Sequence, residues 1–232
     1  MFGKVHAQRT AGKKPVSHQA PIVLTARLAQ RCPDGVDNKN EARLYADVGE
    51  IALIDNSGAR YNRYPEPEYF TDCNQLVTVA DDPFGDGVDE RQRNERISEQ
   101  WLKYSFLGIV QTAGSVKGHS PNEGEHYNGR TNVVHAGGTM TTMNTSDRPI
   151  ETNQLVCWAI PKTNKPDTLP DAWNAKKTGS KFHKDKVHAV TLGLDYTNDI
   201  ELIGLAKVAN AIIGRAITRS QPGGQLDLIM AQ

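Results

Sequence analysis

The chain has 232 residues, of which 27 are basic and 27 acidic, so its formal net charge at pH 7 is zero. A chain of this length can bury a sizeable core in one large domain or two small ones. Zero net charge excludes steering to nucleic acid or membrane by the field of the whole molecule. No apolar run approaches the roughly 18 residues of a membrane-spanning helix. Residues 1–21 also lack the apolar run of a secretory signal, so we expect neither feature.

Three cysteines, Cys32, Cys73 and Cys157, are widely spaced and form no Cys-x-x-Cys pair. An odd number of cysteines at such spacing argues against a disulfide scaffold and against a zinc cluster. We therefore expect reduced thiols, buried or incidental.

The charges are distributed unevenly along the chain. Residues 1–33 carry six basic side chains and no acid, whereas residues 81–100 carry seven acids against three arginines. We interpret 1–33 as a basic, partly extended N-terminal arm, either solvated or reaching across a neighbouring subunit. Contact of the arm with nucleic acid is the weaker alternative, because the charges are thinly spread. Residues 34–232 are expected to form one β-rich domain, and a division into two sub-units near 161–186 stays open.

Short β-branched runs between turn-forming residues predict the first strands. These runs lie at residues 22–29, 44–62 and 75–80. The extended chain of the second run ends in an Asn-Ser-Gly turn. Between the last two, Pro65 and Pro67 alternate with glutamates and force extended chain.

One helix is predicted after the acidic turn, over residues 89–106. The segment contains no Gly or Pro, and Asp86 or Asp89 can cap its start. Ile97, Trp101 and Tyr104 fall on one stripe, while the other positions carry mixed charges. This pattern predicts an amphipathic helix on the surface of a domain or across an interface.

Further β signals follow the helix as short runs separated by turn residues, at 106–112, 131–135, 138–145, 154–161, 187–194 and 225–230. Such runs indicate a sandwich or barrel of short antiparallel strands. In the last run Leu226, Leu228 and Met230 point one way. In the threonine-rich run 138–145, the two methionines are expected on opposite faces of a strand. The predicted fold class is therefore mainly β with one amphipathic surface helix.

Residues 197–219 permit two interpretations. As strands, 202–206 and 212–216 would form two arms, each containing a glycine. As a helix, the segment would begin at Asn198 or Asp199 and be apolar on almost every face, hence deeply buried. We favour two strands, because the glycine-rich turn and the last strand that follow need a partner strand.

The best candidate for a metal site is the polar segment 118–129, which holds His119, Glu123, Glu125 and His126. Two imidazoles and two carboxylates can chelate a metal from one loop. Their spacing matches neither the histidine pair of a zinc-binding helix nor the histidine pattern of cupin barrels. A polar hairpin loop is therefore the preferred interpretation.

No other motif indicates a particular catalytic activity. The acidic turn that starts at Asp82 places Arg93 where a calcium loop needs glutamate, so we interpret it as a turn that caps the helix. The sequence shows no nucleophile elbow and no phosphate-binding glycine loop. The lysine-rich stretch 176–188 contains one aromatic residue and is interpreted as a solvated loop. We predict that the protein is not an enzyme and holds no cofactor or metal.

Two runs carry a resemblance to a known class of proteins. They are IETNQLV (150–156) and IGRAITRSQPGGQLDLI (213–229). Both are similar to the small β-barrel units of accessory and decoration proteins on icosahedral virus capsids. Those units pair a strand that follows a Gly-Asp turn with a segment of the form Ile-Gly-Arg-Ala followed by a Gly-Gly turn. This chain has Thr152-Asn153 in place of Gly-Asp, and the resemblance covers about a quarter of its length.

The resemblance implies a structural protein of an icosahedral virus particle, located in the virion, that self-assembles or packs on the capsid lattice. Its partners would be copies of itself and other capsid proteins. The contact residues would be the arm 1–33 and the Trp101 face of the helix. Trp158 and Trp173 would be either further anchors or core residues, since tryptophan suits both settings. The alternatives are a metal-dependent or sugar-directed β-barrel enzyme built around His119 and its neighbours, and a module that binds a carbohydrate or a receptor.

Overall fold

The computed structural model describes residues 21–28, 44–46, 48–56, 67–73, 76–112, 114–116, 130–146, 148–162 and 187–231. The strands in these stretches are β1 (Ile22–Leu28), β2 (Leu44–Ala46), β3 (Ile51–Asp55), β4 (Glu68–Tyr69), β5 (Tyr104–Val110), β6 (Gly114–Val116), β7 (Arg130–Ala136), β8 (Thr139–Met143), β9 (Leu155–Ala159), β10 (Val190–Leu194), β11 (Ile212–Ala216) and β12 (Gln225–Met230). The helices are α1 (Glu90–Lys103), α2 (Ile200–Val208) and a 3-10 turn at Val79–Asp81. The prediction of a mainly β fold is confirmed.

Five strands form the first sheet, in the order β3-β5-β7-β1-β4. The strand predicted at 22–29 is β1, which lies between β7, antiparallel to it, and β4, parallel to it. The segment interpreted as an N-terminal arm, 1–33, therefore contains a strand of the sheet, and residues 1–20 lie outside the described residues. A small ribbon of β2 and β6 accompanies this sheet.

The other five strands form the barrel sheet, in the order β10-β9-β11-β12-β8, with every neighbouring pair antiparallel. Its two outer strands, β8 and β10, are joined by threonine side chains. The backbone N–H of Thr191 donates to Oγ1 of Thr145 at 2.8 Å, and the N–H of Thr145 donates to Oγ1 of Thr191 at 3.1 Å. The Thr191 hydroxyl in turn donates to the carbonyl of Met143 at 3.1 Å. These bonds nearly close the sheet into a barrel.

Alternation along β8 and β12 places apolar side chains inside the barrel. In β12 the inward residues Leu226, Leu228 and Met230 are at most 3% exposed. Met140 of β8 pairs with Leu228 on the inner face of the barrel sheet. Met143 pairs with Gln225 on the outer face and is nevertheless buried there. The two methionines therefore lie on opposite faces, as the sequence predicts.

Helix α1 begins where the sequence predicts. The Asp89 carboxylate accepts a hydrogen bond from the N–H of Gln92 at 2.8 Å, and the Gln92 side chain accepts from the N–H of Asp89 at 3.3 Å. This reciprocal pair is a capping box. The helix ends at Lys103, because Tyr104 already begins β5, so residues 104–106 of the predicted helix belong to a strand.

The Trp101 face of α1 packs on β9. Trp101 is 3% exposed, and its indole N–H donates to the carbonyl of Trp158 at 2.8 Å. The amide of Gln100 donates to the carbonyl of Ile160 and accepts from its N–H, at 2.9 and 2.8 Å. The expectation that the Trp101 face serves as an external contact is wrong, because this side chain lies in the core. Of the two interpretations of Trp158, the core position is the one observed. Trp173 lies outside the described residues.

The preference for two strands within 197–219 is wrong for its first half. Residues 200–208 form α2, and only 212–216 form a strand, β11. The helix is not deeply buried either, since one of its faces is open to solvent. The last strand, β12, pairs with β11, so a strand at 202–206 is not needed to provide its partner.

We predict that replacing Thr191 by Val lowers the free energy of unfolding by about 1–3 kcal/mol, because the N–H of Thr145 and the carbonyl of Met143 lose their partner. Urea denaturation measures the change. The matched control is Thr141→Val, whose hydroxyl bonds Asp227 on the exposed surface and whose loss is expected to cost less than about 0.5 kcal/mol. Equal losses in the two variants would contradict a role of Thr191 in closing the barrel.

Candidate functional site

Helix α2 carries apolar side chains on both of its faces, and its outer side also carries the exposed charged residues Glu201 and Lys207. Its inner face packs into the core through Leu202, Ile203 and Ala206. Its outer face, which we define as Ile200, Leu205 and Val208, is 67%, 38% and 90% exposed. A surface helix ordinarily carries polar residues on the side away from the core. The outer side of α2 is therefore a mixed surface, in which three large apolar side chains lie beside the exposed Glu201 and Lys207.

A glycine lies in the middle of this outer face. Gly204 falls between Ile200 and Val208 at a spacing of four residues, so the three share one side of the helix. A Cβ added to Gly204 would meet nothing within 4 Å among the described residues. Packing within the described part of the chain therefore does not require glycine here, although glycine costs about 1 kcal/mol relative to alanine inside a helix.

An ion pair with α1 fixes the start of α2. Oδ1 of Asp199 lies 3.2 Å from Nη2 of Arg93, and the two side chains are only 15% and 20% exposed. Oδ2 of Asp199 accepts from the N–H of Asp195 at 2.9 Å. Both oxygens of one carboxylate thus bind separate elements. This arrangement orients α2 relative to α1 and to the end of β10.

A polar cluster lies beside the loop that precedes α2. Nη1 of Arg215 donates to the carbonyl and to Oδ1 of Asn153, both at 3.0 Å, and to the hydroxyl of Tyr196 at 2.6 Å. The guanidinium carbon also lies 5.8 Å from the centre of the Tyr196 ring. Asn153 has a φ of 73°, a backbone conformation that asparagine tolerates better than most residues. Tyrosine and arginine are enriched in protein interfaces.

A polar groove of about 580 Å³ separates the start of α1 from the loop before α2. The acids along it are engaged within the protein. Asp89 caps α1, Asp199 binds Arg93, and Asp195 accepts from Thr197 and Asn198. We therefore interpret these side chains as holding the groove's walls together rather than as a catalytic set.

The residues predicted as metal candidates, His119, Glu123, Glu125 and His126, lie outside the described residues. Within the described stretches, no group of three or more His, Cys, Asp or Glu side chains is placed to hold a metal ion. The acidic turn caps α1, as interpreted, through Asp89 near its end. At its start, Asp82 accepts a hydrogen bond from the N–H of Phe84 at 3.0 Å within the turn. Most of the lysine-rich stretch 176–188 is not described.

The structure reveals a buried polar pair that the sequence did not indicate. Nδ1 of His188 lies 3.2 Å from Oε1 of Glu50, with side-chain exposures of 8% and 1%. Nearby, the hydroxyl of Tyr69 lies 2.6 Å from that of Thr131. Burial raises the pKa of Tyr69 well above its usual value, and the negative charge of Glu50 raises that pKa further, against the hydrogen bond to Thr131, which lowers it. The Tyr69 phenol is therefore neutral throughout the physiological range.

Two of the three cysteines, Cys73 and Cys157, are described, and both are buried. Burial raises the pKa of the Cys157 thiol well above its usual value, and the charge of Asp199 acts in the same direction. A thiol in this setting stays protonated and is a poor nucleophile. Neither helix in the described stretches is long and apolar enough to cross a membrane.

Comparison with models of protein families, with curated proteins and with solved structures returned no match.

We predict that Cys157 resists alkylation by iodoacetamide in the folded protein. Because its pKa is raised, the labelling rate should stay low from pH 7 to pH 9, where an ordinary thiol becomes increasingly ionised. Peptide mass spectrometry identifies the labelled residue, and the urea-unfolded protein serves as the fully reactive control. Labelling of native Cys157 at a rate close to that of the unfolded chain would contradict the buried setting.

Proposed function

We propose that the chain is a structural protein of an icosahedral virus particle that self-assembles or packs on the capsid lattice, and that the outer α2 face is a contact between copies. The observation that carries the proposal is the group of three large exposed apolar side chains on the outer side of α2, opposite the face that lies in the core. Other exposed apolar side chains of the described surface, such as Leu102 and Val79, are ordinary on a folded protein.

A second copy of the chain is the partner to which the proposal commits. In a lattice built from one protein, every copy presents the same face, so a face that associates with itself is used repeatedly. The outer α2 face has three large apolar side chains. The area that they can bury is far smaller than the roughly 800 Å² that each partner contributes to a stable interface. It would therefore act together with further contacts, and the basic segment 1–20 is the one we assign to that role.

The neighbourhood of the two resembling runs supports the proposal. The strand of the first run, β9, pairs with the first strand of the second, β11. Asn153 donates its N–H to the carbonyl of Ala216 at 2.9 Å, and Ala216 donates to the carbonyl of Gln154 at 2.9 Å. The side chain of Arg215 binds Asn153 at the turn. The two runs thus meet in one small barrel, as the resemblance leads us to expect of such a unit.

Glycine at position 214, in the Ile-Gly-Arg-Ala run, has a steric cause. A Cβ at Gly214 would collide with the carbonyl oxygen of Ile229 on the neighbouring strand β12. The glycine therefore permits close approach of the two strands that the resemblance brings together. Its role lies in the wall of the barrel and not in a ligand site.

We predict that Val208→Lys weakens self-association of the full-length protein by about tenfold or more, because a lysine in the contact would bury a charge in an apolar surface. Size-exclusion chromatography with light scattering over a wide concentration range measures the change. Val208 is the last residue of α2, where a lysine suits the helix dipole, so the fold should be retained.

The matched control is Leu102→Lys, which places the same residue near the end of α1 at a position that is 78% exposed. This variant should associate like the parent protein. A parent protein that stays monomeric at every concentration, or equal weakening by the two variants, would contradict the proposed contact. A deletion that tests the arm should remove residues 1–20 only, since β1 starts at Ile22 and belongs to the first sheet.

A further inference from the structure

We propose that two copies of the chain pair their α2 helices side by side and in parallel, with Glu201 of each copy binding Lys207 of the other. This pairing rests on the proposed contact between copies and specifies its direction and its charge pattern. Three features of α2 support it: an apolar seam on its outer side, a glycine in the middle of that seam and opposite charges on the two flanks.

The seam of α2 is formed by Ile200, Gly204 and Val208. These residues follow one another at intervals of four, so they lie along one side of the helix. Ile200 and Val208 are strongly exposed, and a Cβ at Gly204 would meet no atom of the described residues within 4 Å. A glycine lets another backbone approach closely. A second helix can therefore come near α2 at Gly204, between the two large side chains.

Opposite charges flank this seam. Glu201 and Lys207 lie three residues before and three residues after Gly204, so they are about 60° from it on opposite sides of the helix. Both side chains are exposed, and neither forms an ion pair with another described residue. They are six residues apart, whereas side chains on one helix meet at spacings of three or four. Both charges are therefore available to a partner helix.

The charge pattern determines the direction in which two copies pair. In a parallel pair about a two-fold axis, the acidic flank of each helix faces the basic flank of the other. In an antiparallel pair each flank faces its own copy, and such facing of like charges is unfavourable. Helical side chains lean toward the N-terminus, so Lys207 extends toward the level of Glu201 of the other copy. A parallel pair thus forms the same ion pair twice.

Leu205 also gains a contact in this arrangement. It follows Glu201 by four residues and therefore lies on the acidic flank of the seam, where it is 38% exposed. Lysine side chains lay their aliphatic stems along apolar surface while the ammonium group reaches a polar partner. The stem of Lys207 from the other copy would cross Leu205 on its way to Glu201. All three apolar side chains of the outer α2 face are then covered.

Charge reversal tests the ion pairs. Glu201→Lys and Lys207→Glu each bring like charges together twice in a pair of copies, so each should weaken self-association of the full-length protein by about five- to tenfold. The double variant restores opposite charges and should associate within about threefold of the parent protein. Both changes are unfavourable for the dipole of α2, so recovery in the double variant cannot come from a more stable helix.

The matched control is Glu99→Lys, which reverses an exposed charge on α1 and should leave association unchanged. Light scattering over a wide range of concentrations measures the association of all five proteins. Single reversals of α2 that associate like the parent protein, or a double variant that does not recover, would overturn the parallel pairing.

A single cysteine tests the direction of the pair. In a parallel pair Val208 faces Val208 of the other copy, whereas in an antiparallel pair it faces Ile200, about two turns along the helix. Val208→Cys should therefore form a disulfide between two copies under mild oxidation, which peptide mass spectrometry identifies. The control Leu102→Cys, exposed on α1, should not form one.

The outcomes separate this pairing from the proposed function. A Val208→Cys protein that self-associates without forming the disulfide would overturn the parallel pair, while the contact between copies would stand. A parent protein that stays monomeric at every concentration would overturn the contact itself, and the pairing with it.

Discussion

The barrel sheet has five strands, and its closure between β8 and β10 depends on the side chains of Thr145 and Thr191. A sheet of so few strands leaves two edges, each with backbone groups that need partners. Here threonine hydroxyl groups supply part of the hydrogen bonding that the backbone of a neighbouring strand would otherwise provide. Strand β10, held in this position, leads directly into the loop before α2. Strand β9 lies beside it, and the carbonyls of Trp158 in β9 and of Ile160 just after it accept hydrogen bonds from α1.

The same arrangement determines which surfaces remain available for function. Helix α1 is committed to the core through Trp101 and Gln100, so its contribution to the outside is a charged surface. Helix α2 is held at its start by Asp199 and buries one face, and its other side leaves Ile200, Leu205 and Val208 exposed. We propose that association with copies of the same protein gives these side chains a role.

The sequence predicts those elements whose signals are local. The capping box at Asp89 defines the start of α1, and strict alternation identifies β12. Helix α2 was one of two interpretations of its segment, and strands were preferred. Its apolar residues occur on both faces and a glycine lies in its middle, so neither periodicity nor propensity separates it from a strand. Trp101 was placed on a helical stripe correctly, but a stripe indicates only that a face is covered, not whether core or partner covers it. The pair of Glu50 and His188 has no local signal, since it forms only when two sheets meet.

We propose that the outer α2 face is covered when copies of the protein associate. Hydroxyl-radical footprinting at increasing protein concentration measures the exposure of individual side chains. We expect oxidation of Ile200, Leu205 and Val208 to fall as oligomers form, while oxidation of Leu102 on α1 stays constant. Oligomers that form with the outer α2 face still fully oxidised would contradict it.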